Sequence, residues 1–315
     1  MAERSNVYLA ACLIYRNHAR YLREWIEFHM LMGFERFYLY DNGSDDDHLE
    51  VLKPYLAEDI VVMEHWPIPA GQFLAFEHCL SKRRQETERR RSEGLTPLEE
   101  VRWMAFFDID EFLFSPTGRP VAEVLRDFER HPAVVVNLTM FGTSGHVTEP
   151  DGLVIENYSR RAPDIHQDPF VKCIVDPRVT YHCFGAHAFL YLGYVHEFKG
   201  ARFDEPVWAP LDPVNERHEP ITIRHRTPEL SYDLLRINHY YTQSEEQVRK
   251  KWATRRPDTG EARVPLSEAD LELMNAVPDQ TIQMHLPALR QAIRDRESGA
   301  RQPRATQADA AADSD

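Results

Sequence analysis

The segment FYLYDNGSDDD, residues 37–47, joins an aromatic, apolar run to an acidic turn. Its first four residues favour a β-strand, and Asn42-Gly43 is a typical turn pair, so the strand is predicted to end at Asp41. In open α/β sheets, ligands bind beyond the carboxyl ends of the strands. The Asp41 carboxylate is therefore a candidate for ligand recognition, with a cap of the Asn42-Gly43 turn as the alternative.

The flanking segments repeat an alternation of strands and helices. Apolar runs predict strands at 7–15, 37–40, 60–66, 101–114 (running into an acidic turn) and 133–141. Helical spacing predicts helices at 16–33, 45–56, 72–93 and 121–131. This alternation predicts an α/β fold with a Rossmann-like, mainly parallel sheet flanked by helices. Beyond residue 150 the pattern weakens, which indicates an irregular, substrate-shaping second half.

Composition narrows the class of protein. The 315 residues include 37 Lys+Arg against 51 Asp+Glu, and a net charge of −14 argues against a general nucleic-acid binder. No apolar run approaches the roughly 20 residues that cross a bilayer, and the first fifteen residues lack a signal-peptide layout. The four cysteines form no CxxC pair, so we expect reduced, mostly buried thiols in a cytoplasmic protein. The polar tail, 297–315, is predicted to be disordered.

The sharpest chemical feature is FFDIDEF, residues 106–112. If the backbone stays extended, Asp108 and Asp110 project to the same side of the strand. Two neighbouring carboxylates repel each other unless they are protonated or bridged by a cation. Mn²⁺ or Mg²⁺ would relieve that repulsion and hold a diphosphate, with a capped structural turn as the alternative.

Five ordered motifs resemble GT-A glycosyltransferases, close to glycosyltransferase family 92 and the bacterial family-2-like group. The motifs are YRNHARYLREWIEFHMLMGFERFYLYDNGSDD (15–46), WMAFFDIDEFLF (103–114), FGTSGH (141–146), VKCIVDP (171–177) and INHYYTQSEEQVRKK (237–251). The resemblance spans roughly residues 7–256. It implies a single GT-A-like catalytic domain over 1–296, with a nucleotide-binding half (1–140) and an acceptor and sugar half (141–296).

The resemblance also implies roles for particular residues. Nucleotide contacts fall on Tyr15, Arg16, Asn17 and Asp41, and the metal on Asp108 and Asp110, with a third ligand from His187 or His239. Phosphate contacts fall on Lys172 and on Lys250 or Lys251, which the spacing does not separate, and simple surface lysines are the alternative. Asp45 and Asp46 are expected to cap the following helix.

The acceptor side is less sharply defined. Ser144 and His146, next to Gly142 and Gly145, are read as part of the sugar or acceptor pocket, with a tight structural turn as the alternative. An inverting reaction needs a carboxylate base, for which the candidates are Glu111, Glu149, Asp151 and Glu197. Glu111 could equally orient the Asp110 turn, and nothing in the sequence ranks the four.

The expected activity is metal-dependent transfer of a sugar from a nucleotide sugar, a UDP-sugar first, to a carbohydrate or lipid-linked acceptor. The alternatives are a Mg²⁺-dependent nucleotidyl or phosphoryl transferase, against which no G-x-x-x-x-G-K-[ST] loop is present, and a non-catalytic carbohydrate-binding protein on the same fold. The expected location is cytoplasmic, with peripheral contact at the inner membrane as an option. The charged run SKRRQETERRR (81–91) favours a solvated helix face over contact with anionic lipid.

Overall fold

The computed structural model describes residues 7–92, 100–222 and 225–300. Its strands are β1 (Val7–Tyr15), β2 (Arg36–Asp41), β3 (Val61–His65), β4 (Val101–Phe106), β5 (Glu111–Phe114), β6 (Ala133–Met140), β7 (Arg160–Arg161), β8 (Val171–Val175), β9 (Thr180–Gly185), β10 (Ala188–Phe198), β11 (Ala201–Leu211), β12 (Arg236–His239) and β13 (Val277–Pro278). Its α-helices are α1 (Ala19–Leu31), α2 (His48–Ala57), α3 (Gln72–Ser92), α4 (Val121–Val124), α5 (Val154–Asn157), α6 (Glu245–Trp252), α7 (Glu268–Leu273) and α8 (Leu286–Glu297). Most of the predicted disordered tail, 301–315, lies outside the described residues.

Eight strands form one sheet in the order β3-β2-β1-β4-β8-β6-β12-β5. The neighbours β3, β2, β1 and β4 run parallel, and so do β6 and β12. Strand β8 is antiparallel to both of its neighbours, and β5 is antiparallel to β12. The α/β fold with a mainly parallel sheet is confirmed.

This topology brings separate parts of the chain to one edge of the sheet. The carboxyl ends of β4 and β12 and the amino ends of β5 and β8 all face that edge, because β5 and β8 run against their neighbours. Asp108, Asp110, Lys172 and His239 are therefore neighbours in space, although the first and the last are 131 positions apart in the sequence.

Apolar side chains cover both faces of the large sheet. Trp25 and Phe28 of α1 are fully buried on one face, and Phe76 of α3 is fully buried on the other. Gly33 follows α1 with a φ of +93°, and a Cβ there would come within 2.5 Å of Ala122 Cβ, so glycine suits this helix end for two reasons. The cysteines are free and buried, as expected: Cys12, Cys79, Cys173 and Cys183.

The second half combines long loops with regular structure. Strands β9, β10 and β11 form an antiparallel sheet, and β10 and β11 are eleven residues each. Strands β8 and β12 come from this half and lie inside the large sheet. Within the described ranges, no helix is both long and apolar enough to span a bilayer.

Candidate active site

The acidic motif forms a turn between two strands. Strand β4 ends at Phe106, and the Glu111 amide donates to the Asp108 carbonyl over 3.1 Å before β5 begins. The prediction that an extended backbone aligns Asp108 and Asp110 was wrong, because the chain must reverse between β4 and β5. The turn still directs both carboxylates to the carboxyl edge, where the charge of Asp110 acts to raise the pKa of Asp108.

Each of these aspartates is paired with its own lysine. Lys172 Nζ lies 2.9 Å from Asp108 Oδ2 and 3.3 Å from Glu111 Oε2, while Lys251 Nζ lies 2.7 Å from Asp110 Oδ2. Lys250 instead forms an exposed pair with Glu246 on the same helix. The structure thus separates Lys251 from Lys250, which the sequence spacing could not.

These ion pairs keep the two aspartates charged. Burial raises the pKa of Asp110, but Lys251 and His239 outweigh it and hold the pKa well below its usual value. For Asp108 burial is likewise outweighed, chiefly by Lys172, so its pKa is also lowered. Burial raises the pKa of Glu111, whose side chain is fully enclosed. The edge therefore brings the carboxyl groups of Asp108, Asp110 and Glu111 together with the ammonium groups of Lys172 and Lys251.

Both candidate histidines reach this edge. His239 Nε2 lies 3.5 Å from Asp110 Oδ1, and its Nδ1 lies 3.6 Å from Glu111 Oε1. His187 Nδ1 donates to the Val171 carbonyl over 2.7 Å, which leaves its Nε2 without the proton. Burial and the nearby Lys172 lower the pKa of His187 to about 4. His239 is thus the histidine in contact with the acidic turn. His187 instead bonds to the backbone of Val171 and lies close to Lys172.

Asp110 and His239 are the side chains of this edge whose atoms could serve as ligands of a divalent cation. Among the described residues, no group of three or more His, Cys, Asp or Glu side chains is placed to hold a metal ion. Glu111 Oε1 and His239 Nδ1 are buried without a hydrogen-bond partner in that part of the chain, and they face each other. The two atoms lie 3.6 Å apart, beyond hydrogen-bond distance, so the described part of this edge keeps unpaired polar atoms next to the Asp110 carboxylate. A carboxylate supplemented by phosphate oxygens suits Mn²⁺ or Mg²⁺, and the imidazole would add a nitrogen ligand beside it.

The loops after β1 and β2 are joined to each other. The Asn17 amide, at a φ of 56°, donates to Ser44 Oγ over 3.0 Å, and Asn17 Oδ1 accepts from the Asp45 amide over 2.9 Å. Asp46 accepts from the Ala19 amide at the start of α1 and, at 3.3 Å, from the His48 amide at the start of α2. Asp46 thus contacts the first residue of both helices, but the N-cap position of α2 is Asp47, so the predicted cap by Asp45 and Asp46 is not confirmed.

The predicted nucleotide contacts occupy three different environments. Tyr15 is buried and its hydroxyl points to the Met63 sulfur at 3.6 Å, whereas Arg16 and Asn17 are exposed. Asp41 Oδ1 accepts from the Ser44 amide over 2.8 Å, and Oδ2 lies 3.2 Å from His65 Nδ1. Asp41 thus caps the turn, as the alternative interpretation had it. A nucleotide contact by Asp41 remains a prediction.

The acceptor candidates Ser144 and His146 make local contacts. Ser144 Oγ accepts from the Ser159 and Arg160 amides at 2.9 and 3.0 Å, and His146 Nε2 lies 3.1 Å from the Asn157 carbonyl. A Cβ at Gly142 would lie 2.5 Å from the Met274 carbonyl oxygen, so the close backbone approach expected at this glycine is present. These contacts describe a tight turn, and an acceptor role for it remains a prediction.

The four candidate bases are far from equivalent. Glu111 is fully buried and accepts from the Asp108 amide over 2.9 Å, so it orients the acidic turn. Glu149 accepts from the Tyr21 hydroxyl and from Gln247 Nε2, the latter over 2.7 Å. Asp151 is exposed in a loop, and Glu197 is exposed on β10 beside Arg202.

Two residues at this edge were not identified from the sequence. Gln72, at the start of α3, donates its Nε2 to Asp108 Oδ1 over 2.6 Å. His18 lies three residues after the end of β1, at the N-cap position of α1, and its Nδ1 is buried without a hydrogen-bond partner in the described chain. Burial lowers the pKa of His18, and Asp110 and Lys251 are close enough to affect it. The sequence could have indicated His18, because it lies just after a predicted strand. No sequence pattern marks Gln72.

A mainly parallel α/β sheet with an acidic turn at its carboxyl edge is the arrangement of GT-A glycosyltransferases. The model of "Glycosyltransferase family 92" matches residues 7–197, which is more than half of the chain. The chain belongs to glycosyltransferase family 92, as the sequence motifs predicted.

Similar proteins come from plants and bacteria. A family 92 protein of Oryza sativa subsp. japonica is 34% identical over 175 residues, covering 54% of this chain and 27% of the relative. A galactan β-1,4-galactosyltransferase of Arabidopsis thaliana, GALS3, is 31% identical over 120 residues, covering 35% of this chain and 21% of that protein. The chain thus spans about a quarter of the length of these curated relatives. The structure of S. aureus TarS 1-349 in complex with UDP-GlcNAc is 12% identical, covers 55% of this chain and 46% of that chain, and gives a TM-score of 0.35.

Proposed function

We propose that this chain transfers a sugar from a nucleotide sugar to a carbohydrate acceptor in a reaction that depends on Mn²⁺ or Mg²⁺. The observation that carries the proposal is the juxtaposition of Asp108, Asp110, Lys251 and His239 at the carboxyl edge of the sheet. Opposite charges so arranged suit a diphosphate with a divalent cation, and family membership supports sugar transfer as the reaction.

Asp110 and His239 would hold the cation, which when bound would neutralise the negative charge that develops on the leaving diphosphate. Lys251 adds a second positive charge from the protein. Its ammonium uses two of three N–H groups, on Asp110 Oδ2 and the Tyr241 carbonyl, so one remains for a phosphate oxygen. Its side chain is 24% exposed, which leaves it open to substrate.

Lys172 acts differently in this proposal. Its side chain is only 2% exposed and lies between Asp108 and Glu111. It therefore fixes the two carboxylates in place rather than touching phosphate, and Gln72 supports Asp108 from the other oxygen. Such positioning keeps the charged groups fixed before substrate binds, which avoids a reorganisation cost during the reaction.

We propose a UDP-sugar as the donor on the resemblance of the motifs to GT-A enzymes. The name of the similar GALS3 protein makes UDP-galactose and β-1,4-galactan the first donor and acceptor to test. A lipid-linked acceptor, a cytoplasmic location and peripheral contact with a membrane remain predictions from the sequence.

The test is release of UDP from UDP-galactose with Mn²⁺ in excess, and again after chelation. Asp110→Asn keeps the shape of the side chain but removes its charge, and we expect at least about a 100-fold loss of turnover, the scale seen when one transition-state contact is lost. Lys250→Ala, next to Lys251 but directed to Glu246, is the matched control and should retain wild-type turnover. The proposal fails if Asp110→Asn turns over at the wild-type rate, or if chelation leaves the wild-type rate unchanged.

A further inference from the structure

A cluster of aromatic side chains lies on the three-stranded sheet, away from the acidic turn. Tyr194 of β10 and Trp208 of β11 are paired across the strands, with ring centroids 4.8 Å apart in an edge-to-face arrangement. Tyr181 of β9 extends the group, its ring 5.5 Å from that of Trp208. We call Tyr181, Tyr194 and Trp208 the aromatic cluster.

The cluster is exposed to a degree that packing alone does not explain. Tyr194 is 72% exposed and Trp208 is 46% exposed, although both are large rings on neighbouring strands. On the other face of the same sheet, Phe189 and Tyr191 are buried against the core. The cluster face therefore carries neighbouring rings outside the core, and contiguous exposed apolar surface can mark a binding site.

The sheet that carries the cluster begins at the candidate active site. His187 lies in the turn between β9 and β10, and its Nδ1 donates to the carbonyl of Val171 on β8. Its own carbonyl accepts from Cys173 Sγ, also on β8, at 3.5 Å. Val171 and Cys173 are the two neighbours of Lys172 in the sequence. Tyr194 is seven residues further along β10, or about 24 Å at the usual rise of a strand. A chain molecule with its end at the acidic turn could follow β10 to the cluster.

The chemistry of the cluster favours a neutral glycan over a charged surface. Trp and Tyr offer a flat apolar ring for the C–H faces of a sugar, and an N–H or O–H for its hydroxyl groups. The adjoining end of the hairpin carries three acidic and two basic residues: Glu197, Asp204, Glu205, Lys199 and Arg202. With the net charge of −14, this gives no attraction to anionic lipid headgroups.

We propose that the aromatic cluster is a remote subsite for a neutral glycan acceptor, and binds it several sugar units from the end that reacts. This inference rests on the proposed function for the identity of the acceptor. It adds that long acceptors bind through two separated points, so their affinity exceeds that of short ones.

The test compares Tyr194→Ser/Trp208→Ser with the wild-type protein. The probes are β-1,4-galactan, xyloglucan and dextran in affinity electrophoresis, and vesicles of anionic phospholipid in a sedimentation assay. Leu49→Ser is the matched control, since Leu49 is 51% exposed on α2, in another part of the fold. Trp208→Tyr keeps a ring at the same position and controls for a folding defect in the double variant.

We expect at least one glycan to retard the wild-type, Leu49→Ser and Trp208→Tyr proteins, and the double variant to bind it at least about tenfold more weakly, which is 1.4 kcal/mol. Equal retardation of the double variant, or no retardation of the wild-type protein by any glycan, overturns the proposal. Vesicle binding or self-association that is lost only in the double variant also overturns it, in favour of a lipid surface or a second copy. UDP-sugar hydrolysis without acceptor should be unchanged in all variants, and its absence from the wild-type protein would contradict the proposed function alone.

Discussion

Lys172 and Lys251 carry the same charged group, but they differ in burial, so removing each one should affect the stability of the protein differently. The side chain of Lys172 is 2% exposed and compensates two carboxylates, whereas that of Lys251 is 24% exposed and compensates one. The carboxylates raise the pKa of Lys172 even though burial opposes it. Removing a charge from inside the protein leaves its partners uncompensated, while removing one at the rim lets water take its place.

We therefore expect Lys172→Met to lower the free energy of unfolding by about 3–5 kcal/mol, the cost of breaking a buried ion pair. Lys251→Met should lower it by no more than about 1 kcal/mol, because water can reach that position, and should reduce UDP-sugar turnover instead. Urea denaturation of both variants, followed by circular dichroism, measures the difference. Equal destabilisation by the two substitutions would show that Lys172 is not the structural member of the pair.

At the scale of elements, a single buried carboxylate joins α1 to α5. Glu24 of α1 is 5% exposed and accepts from the Val154 and Ile155 amides at 2.8 and 3.1 Å, at the start of α5. These amides have no partner within the helix, so the carboxyl group satisfies them. Burial outweighs both hydrogen bonds and raises the pKa of Glu24 to about 7.

The raised pKa of Glu24 predicts a pH dependence of stability. Between the ordinary value of 4.5 and about 7 the folded state holds a proton that the unfolded state has lost. This contribution to the unfolding free energy is therefore complete below pH 4.5 and is lost as pH rises through 7. At 1.36 kcal/mol per pKa unit, the loss amounts to about 3 kcal/mol.

Glu24→Gln, which cannot ionise, isolates that contribution. Its unfolding free energy relative to the wild-type protein should increase by about 3 kcal/mol between about pH 5 and about pH 8. Urea denaturation at several pH values gives this difference directly, whatever the other groups contribute. A difference that stays constant with pH would mean that Glu24 is ionised in the folded protein throughout.

The elements also show which parts of the structure could be predicted from sequence. Strands β1, β2 and β3 and helices α1, α2 and α3 were predicted because their apolar residues recur at the strand or helix period over continuous segments. Hairpin β10–β11 was not, because its exposed end interrupts the alternation with charged residues. The family motifs led to His239 and Lys251, whereas the bond from Gln72 to Asp108 depends on the placement of α3 against β4 and leaves no local pattern.

At the scale of the whole molecule, the candidate active site extends beyond the segment that the family model matches. The family 92 match ends at residue 197, but His239 and Lys251 lie beyond it. Strand β12, residues 236–239, lies between β6 and β5 inside the large sheet. Arg296 of α8 donates to Glu27 of α1 over 2.8 Å in a buried contact, so the last helix is also fastened to the first. The segment after residue 197 therefore supplies strand β12 to the large sheet and the side chains of His239 and Lys251 to the candidate active site.

A chain of residues 1–197 should consequently fail to fold as a unit. Without β12, β5 loses its strand partner in the sheet and β6 loses one of its two, which exposes fully buried Phe112 and Leu113 to water. A chain of residues 1–300, which keeps every described element, is the matched control and should unfold cooperatively. Thermal melting by circular dichroism and limited proteolysis distinguish the two, and we expect a sharp transition only for the longer chain. A cooperative transition and protease resistance in the shorter chain would show that the matched segment is a domain in its own right, to which the second half merely adds active-site groups.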